Sequence, residues 1–274
     1  MKTKLLVNIG IIIVVLLVAL VIFSIRSQNL FLTKQGTIGI TASRSEILKQ
    51  AAQQEAKGNL IETRELYKKL VSNFPNYPQV EGWQEKLWDL NIRLLFSPTI
   101  TQGSRIYEIK SGDSLAKIAK KFNTTVELLK KSNGLLSNKI LTGRKLKVWT
   151  RPFNIVIDKS QNILMLKSND EVIKTYIVST GINNSTPIGN FKIVNKLINP
   201  TWYKAGAAVP PESPDNILGS RWMGFDLKGY GIHGTTQEES LGQQITQGCV
   251  RMANTEVEEL FTIVPTGIQV TIVD

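Results

Sequence analysis

The sequence predicts three folded parts in one chain: a mainly β domain at the C-terminal end, a small βααβ domain before it, and an N-terminal helical region with one transmembrane helix. Apolar residues alternate with polar ones from residue 153 onward, recur at helical spacing between residues 43 and 97, and form an uncharged run over residues 5–25. The chain has 274 residues, of which 42% are hydrophobic and 20% charged, so disorder is excluded as its main state.

The charge is unevenly distributed along the chain. The formal net charge is +11; residues 105–150 hold 11 Lys/Arg against 3 Asp/Glu, whereas residues 151–274 hold 10 against 12. Such a basic segment suits an anionic surface. Its lysines are not interleaved with aromatic residues, so nucleic acid is not expected as a partner, and a cell wall carrying phosphate or carboxylate groups would attract the segment equally well.

The first segment, residues 1–27, is predicted to be a cytoplasmic tip followed by a transmembrane signal anchor. Residues 5–25 are long enough as a helix to span a hydrocarbon core of about 30 Å. A cleaved signal peptide is the alternative, but its apolar region would be shorter and followed by a small-residue cleavage site. Lys2 and Lys4 before the span favour a cytoplasmic N-terminus. We therefore expect a single-pass protein of the cytoplasmic membrane, with the C-terminal domains on the periplasmic or cell-wall side.

Residues 28–42 are predicted to be a polar linker, and residues 43–97 a helical spacer. Gly58 separates two helices, prolines from Pro75 onward end the second, and a third helix is expected at about residues 80–96. The first two helices resemble one tetratricopeptide repeat. Because solenoids need about three repeats for stability, a spacer is favoured over a protein-binding repeat.

Residues 105–149 have the order strand, helix, helix, strand. A strand is predicted at residues 106–109, and the first helix is expected to begin at a cap provided by Asp113. Thr124 and Glu127 have the spacing of a capping box for the second helix. The first helix carries one apolar stripe, formed by Leu115, Ile118, Ala119 and Phe122.

This stretch resembles a LysM domain over its whole length, YEIKSGDSLAKIAKKFNTTVELLKKSNGL followed by ILTGRKLKV. The resemblance implies a βααβ fold that binds glycans containing N-acetylglucosamine, chiefly peptidoglycan.

The C-terminal part, residues 153–274, is predicted to consist mainly of short strands. The predicted strands are residues 154–158, 163–166, 172–178, 191–194 and 268–273. One helix is expected at residues 255–264, with Asn254 as its N-cap and Pro265 after its end.

Cys249 and His233 are the only cysteine and the only histidine in the chain. A thiolate is a strong nucleophile, and an imidazole can take the proton of a thiol. Gly248 would let a substrate approach the backbone, and amide groups near Cys249 could stabilise an oxyanion. Arg251 could hold a carboxylate. One cysteine and one histidine leave little for a metal site, and no metal or organic cofactor is predicted.

The blocks around these residues resemble the L,D-transpeptidase catalytic domain of the YkuD family, in order and spacing, over about residues 153–274. The carrying blocks are Thr186–Phe191, Asn199–Tyr203, Pro214–Trp222, Gly231–Thr235, Thr246–Met252 and Gly267–Ile272. The resemblance implies a β-sandwich that acts on peptidoglycan stem tetrapeptides and forms 3→3 cross-links through a thioester on the cysteine.

The resemblance also implies roles for single residues. Cys249 is the nucleophile, His233 the general base, and Gly248 contributes a backbone amide for the oxyanion. Arg251 and Thr235 would orient the site or the substrate.

The remaining candidate substrate-binding residues lie in three of these blocks. They are Thr246, Gln247, Trp202, Tyr203 and Trp222, and for the three aromatic residues core packing is the favoured alternative. Gln247 stands where the family usually has histidine, and glutamine carries no proton at neutral pH.

Two further functions remain open. A carboxypeptidase would resolve the same acyl-enzyme with water, and it needs the same cysteine and histidine. A wall-binding protein without activity is the other alternative, because of Gln247. The intact Cys249, His233 and Arg251 argue against it.

Overall fold

The computed structural model describes residues 43–204 and 206–274. The predicted membrane helix and the linker at residues 28–42 lie outside the described residues. Within the described ranges, every helix is too short or too polar to cross a bilayer. Residues 44–274 pack as one compact unit.

The N-terminal part of this unit contains three helices: α1 (Arg44–Ala56), α2 (Leu60–Asn73) and α3 (Val80–Leu95). The predicted break after α1 is confirmed: Gly58 has φ +71°, and Asn59 caps α2 by accepting a hydrogen bond from the amide of Glu62.

The βααβ order predicted for residues 105–149 is confirmed. Strand β1 (Ser104–Glu108) pairs antiparallel with β2 (Lys145–Trp149), and helices α4 (Leu115–Phe122) and α5 (Val126–Ser132) lie between them in the chain. Its small core consists of Tyr107, Ile109, Leu115, Ile118, Ala119, Leu129, Leu146 and Val148.

Both predicted helix caps in this domain are wrong by one residue. Ser114 caps α4 by accepting from the amide of Lys117, while Asp113 accepts from the Tyr107 hydroxyl at 2.8 Å. Thr125 caps α5, and the hydroxyl of Thr124 is buried without a partner among the described residues. Asp113 is unsuited as a cap because its carboxylate is already used to close the β1–α4 turn.

The C-terminal domain is built on one continuous sheet of eight strands, in the order β13-β11-β10-β7-β14-β3-β4-β5. Its strands are β3 (Phe153–Asp158), β4 (Ile163–Ser168), β5 (Glu171–Ile177), β7 (Gly189–Ile198), β10 (Arg221–Phe225), β11 (Gly231–His233), β13 (Val250–Arg251) and β14 (Gln269–Val273). Two small two-stranded sheets pair β6 (Thr180–Gly181) with β12 (Gln244–Thr246), and β8 (Trp202–Lys204) with β9 (Ala207–Val209).

The mainly β class is confirmed, and the β-sandwich stays a prediction. The two halves of the large sheet share the ten-residue strand β7. Residues 189–192 pair with β14, and residues 193–198 pair with β10. One strand therefore joins the regular half of the sheet to the half that carries the reactive residues.

The predicted C-terminal helix is confirmed as α6 (Asn254–Ile263), which buries Val257, Leu260, Phe261 and Ile263 in the main core. Its predicted cap is wrong: Ala253 occupies the cap position, and the side chain of Asn254 instead accepts a hydrogen bond from the amide of Ser220 at 2.9 Å. Asn254 thus ties the start of α6 to the start of β10, beside the site.

The predicted helical spacer is docked on the C-terminal domain. The side-chain amide of Asn91 donates to the carbonyl of Ile173 on β5 at 2.9 Å, and Ile92 and Leu95 belong to the main hydrophobic core. Because β5 is an edge strand, α3 covers backbone groups that would otherwise be exposed. The sequence did not predict this contact because the apolar faces of α3 do not reveal their partner.

The βααβ domain is also fixed in this unit. The buried amine of Lys147 donates to the carbonyls of Leu94 at 2.6 Å and Ser97 at 2.8 Å, at the end of α3. Burial lowers the pKa of Lys147 to about 8. The hydroxyl of Thr125 donates to the carbonyl of Thr262 on α6. The cap of α5 therefore also connects the two domains.

Candidate active site

A cleft of about 760 Å³ opens where β10, β11 and β13 end the large sheet. It is lined by Leu197, Pro200, Thr201, Trp202, Tyr203, Ile217, Leu218, Trp222, Gly229, Tyr230, His233, Ile245, Thr246, Gln247, Cys249 and Arg251. Apart from His233, the only ionisable groups in this lining are the thiol, the guanidinium and two phenols. The cleft has the size of a pocket for a small peptide-like ligand.

Cys249 lies in a tight turn directly before β13. The hydroxyl of Thr246 donates to the carbonyl of Cys249 at 2.6 Å and accepts from the amide of Gly248 at 3.2 Å. From the other side, the hydroxyl of Thr186 donates to the carbonyl of Gly248 at 3.0 Å. These three bonds fix the backbone that carries the half-buried thiol.

Gly248 is required by the turn itself. Its φ is +127°, and a β-carbon at this position would lie 2.7 Å from Cε1 of Tyr230 and 3.1 Å from the carbonyl oxygen of Ser185. The space on the β-carbon side of Gly248 is thus filled by Tyr230 and Ser185, while the expected approach of a substrate to its backbone stays a prediction. The amide of Gly248 is occupied by the Thr246 hydroxyl.

His233 is the last residue of β11 and is 2% exposed. Its Nδ1 lies 2.7 Å from the carbonyl oxygen of Gly234. Since a carbonyl only accepts, this contact favours the tautomer with the proton on Nδ1 and leaves Nε2 as a proton acceptor. Burial lowers the pKa of His233 to about 4, so the ring is neutral at pH 7.

The Cys249 thiol lies 3.4 Å from the carbonyl oxygen of Gly229. Burial raises the pKa of Cys249, although the amide of Gly231 and the charge of Arg251 act in the opposite direction. A raised thiol pKa beside a lowered imidazole pKa describes a neutral pair at pH 7. Both groups line the same cleft, and a neutral imidazole can accept a proton from a neutral thiol.

Arg251 is 8% exposed and reaches the cleft from β13. Its Nη1 donates to the hydroxyl of Ser240 at 3.0 Å, and its buried Nε has no partner among the described residues. The hydroxyl of Ser179 donates to the carbonyl of Ser240, and the amide of Ser179 to the carbonyl of Arg251. Arg251 is thus a fixed, incompletely bonded cation in a nearly uncharged cleft.

Two of the predicted contact residues differ in their placement. Thr235 is buried and does not line the cleft; its hydroxyl accepts from the amide of Gln237 at 3.0 Å and so shapes the loop after His233. Gln247 lies on the cleft and is exposed. An exposed side chain at this position can contact a ligand without being part of the buried proton-transfer pair.

The three predicted aromatic residues all line the cleft, and none is in the main core, so the favoured core-packing alternative is wrong. Tyr203 is 79% exposed, Trp202 is half-buried on β8, and Trp222 is half-buried on β10. The ring of Trp222 stacks on that of His233, with centroids 6.0 Å apart and planes 20° apart.

Four residues of the site were not predicted from the sequence. Tyr230 packs over Gly248, Thr186 holds its carbonyl, Ser240 holds Arg251, and Asn195 accepts from the indole of Trp222 at 3.1 Å. Their role depends on pairing between distant strands. The sequence held a signal for two of them: Thr186 begins one of the blocks that carry the resemblance, and Tyr230 directly precedes the Gly-Ile-His segment.

Comparisons with known proteins identify the families of two regions of the chain. Residues 152–272 match the family model of the YkuD L,D-transpeptidase catalytic domain, and residues 107–149 match that of the LysM domain. All ten predicted site residues lie in the first of these regions.

Two similar bacterial proteins establish the family to which this chain belongs. YqjB of Bacillus subtilis (strain 168), named as an L,D-transpeptidase, is 42% identical over 126 residues, 44% of this chain and 70% of that protein. YkuD of the same strain, named likewise, is 33% identical over 173 residues, 61% of this chain and 97% of that protein. An L,D-transpeptidase structure from Mycobacterium smegmatis aligns with TM-score 0.38 and 17% identity, over 49% of this chain and 65% of that one. The chain belongs to the L,D-transpeptidase (YkuD) family and carries a LysM domain before the catalytic domain.

Proposed function

We propose that this chain is a peptidoglycan L,D-transpeptidase that uses Cys249 as its nucleophile and His233 as its general base. The observation that carries the proposal is the neutral thiol–imidazole pair in one cleft, with the Nδ1 of His233 already committed to the Gly234 carbonyl. This arrangement leaves Nε2 to accept the thiol proton.

The first half-reaction follows from this pair. The sulfur of Cys249 attacks the carbonyl carbon of the third residue of a stem tetrapeptide while its proton passes to His233. The amide bond to the terminal D-alanine then breaks, and the imidazolium returns the proton to the leaving amine. A thioester with Cys249 remains. Because the Gly248 amide is taken by Thr246, we assign the oxyanion contact to the amide of Cys249.

The second half-reaction reverses the proton path. An acceptor amine attacks the thioester carbonyl, His233 takes the amine proton and returns it to the departing sulfur, and a 3→3 cross-link forms. Arg251, whose side chain lines the cleft, would hold a carboxylate of the stem. The exposed Tyr203 and the half-buried Trp202 would contact the peptide.

The rest of the chain supports a location at the cell wall. We propose that the LysM domain binds the glycan chains of peptidoglycan. We also propose that residues 5–25 anchor the protein in the cytoplasmic membrane with the enzyme outside, since that uncharged run has the length of a bilayer span. Binding to the glycan would raise the local concentration of stem peptides at the cleft.

The test uses residues 43–274, which contain the whole compact unit and keep α3 on the sheet. The protein is incubated with purified disaccharide-tetrapeptide, and products are followed by mass spectrometry with Cys249→Ala as the control. A cross-linked dimer lacking one alanine supports the proposal. A tripeptide monomer alone assigns a carboxypeptidase, and absence of any Cys249-dependent product refutes both activities.

A further inference from the structure

The strand register places three side chains in a row across the floor of the site. Leu197 on β7 pairs with Trp222 on β10, and Trp222 pairs with His233 on β11. Directly opposed residues of antiparallel strands share one face of the sheet. The indole of Trp222 therefore lies beside the imidazole of His233, in the offset stacking that aromatic pairs prefer.

The indole of Trp222 is held in a single orientation. Its Nε1 donates to Oδ1 of Asn195 at 3.1 Å, and the same oxygen accepts from the amide of Gly224 at 3.1 Å. The glycines at 224 and 231 provide the space: a β-carbon at Gly224 would lie 2.8 Å from Nε1, and one at Gly231 would lie 2.9 Å from Cζ2. The indole thus lies over two bare backbone segments, anchored at its polar edge.

This arrangement restricts His233 on one face, while the Gly234 carbonyl restricts its Nδ1. We propose that Trp222, anchored by Asn195, is a positioning residue that fixes the plane of the His233 imidazole and shields it from water. The inference rests on the proposed function for its kinetic part only, because the environment of the imidazole is measurable without any substrate. Asn195 acts through Trp222, and Trp222 acts through His233.

The chain offers a direct measurement, because His233 is its only histidine. Its ring signals can be followed by NMR through a pH titration of the folded protein with no assignment step. In the unmodified protein we expect a midpoint of about 4. In Trp222→Leu, water reaches the ring, and we expect the midpoint to move toward the ordinary histidine value of about 6.5. Trp222→Phe keeps the stack and should stay close to the parent.

The kinetic arm uses the same variants in the transpeptidation assay. A misplaced base should lower kcat by about 10- to 100-fold in Trp222→Leu with a smaller change in KM. Asn195→Ala removes only the anchor and should lie between Trp222→Leu and the parent. Val194→Ala, at the exposed neighbouring position on β7, is the matched control and should alter neither readout.

Each outcome decides one question. A His233 titration midpoint that is the same in the parent and in folded Trp222→Leu refutes the positioning role, whatever the activity. A parent without Cys249-dependent product refutes the proposed function, while a shifted midpoint in Trp222→Leu still supports the positioning role. A fall in kcat in Val194→Ala equal to that in Trp222→Leu would refute a specific role for the indole.

Discussion

Replacing Gly248 by alanine tests the turn that carries Cys249. The substitution forces alanine to adopt φ +127° and places its methyl group 2.7 Å from Cε1 of Tyr230. A positive φ costs an L-residue about 1–2 kcal/mol, and overpacking of a well-filled site costs about 1–3 kcal/mol. We therefore expect Gly248→Ala to reduce the free energy of unfolding by about 2–5 kcal/mol.

Gly267 offers a matched control for the backbone contribution. It also has positive φ, +88°, but a β-carbon there has no described atom within 4 Å. Gly267→Ala should therefore cost only the backbone strain, about 1–2 kcal/mol. The difference between the two variants measures the contacts with Tyr230 and the Ser185 carbonyl, together with the added strain of φ +127° compared with +88°.

The assay is urea unfolding of residues 43–274 followed by tryptophan fluorescence. With an m value of about 2 kcal/mol/M, a loss of 3 kcal/mol moves the midpoint by about 1.5 M urea. A loss in Gly248→Ala no larger than in Gly267→Ala would refute the steric argument. Adding Tyr230→Ala to Gly248→Ala should recover about 1–2 kcal/mol relative to additivity, because the clashing ring is then gone.

Three further predictions concern stability. Burial lowers the pKa of His233 to about 4, so the unfolded chain binds more protons than the folded chain between pH 6.5 and pH 4. The free energy of unfolding should therefore fall by about 3 kcal/mol as the pH drops through this window. In urea unfolding, His233→Gln should remove this pH dependence. Lys147→Met should cost about 1–3 kcal/mol by thermal unfolding, because it removes the donor of the Ser97 carbonyl and one of the donors of the Leu94 carbonyl; a change below 0.5 kcal/mol would contradict this reasoning. Asn91→Ala should cost about 1–2 kcal/mol and speed amide exchange in α3, whereas Asp89→Ala on the exposed face should change neither.

The longer elements could be predicted from the sequence because their periodicity is visible. Strands β3 and β4 alternate over six residues each, and α6 has a clear apolar face. The short strands β11 and β13 have only three and two residues, too few to show any period. These short strands carry the site, so its residue types were predictable while its geometry was not.

Two of the three errors at the helix caps have the same physical cause. Asp113 and Asn254 have the side chains of good caps, yet each is bonded to a distant partner, the hydroxyl of Tyr107 and the amide of Ser220. Local patterns describe what a side chain can do near its own position. They carry no information on a competing partner that only the tertiary fold supplies. The same holds for Trp222, whose neighbour His233 is set by strand register.

The amine of Lys147 helps to fix the distance between the βααβ domain and the cleft. Because this amine joins the βααβ domain to the end of α3, and α3 is docked on β5, the βααβ domain and the cleft keep one separation and one direction. A flexible linker would let the cleft sample every stem peptide within its length. Under the proposed function, a rigid connection would present to the cleft only those stem peptides that lie at a set distance from the bound glycan strand. The spacing of cross-links would then be a property of the fold of this chain as much as of the wall on which it works.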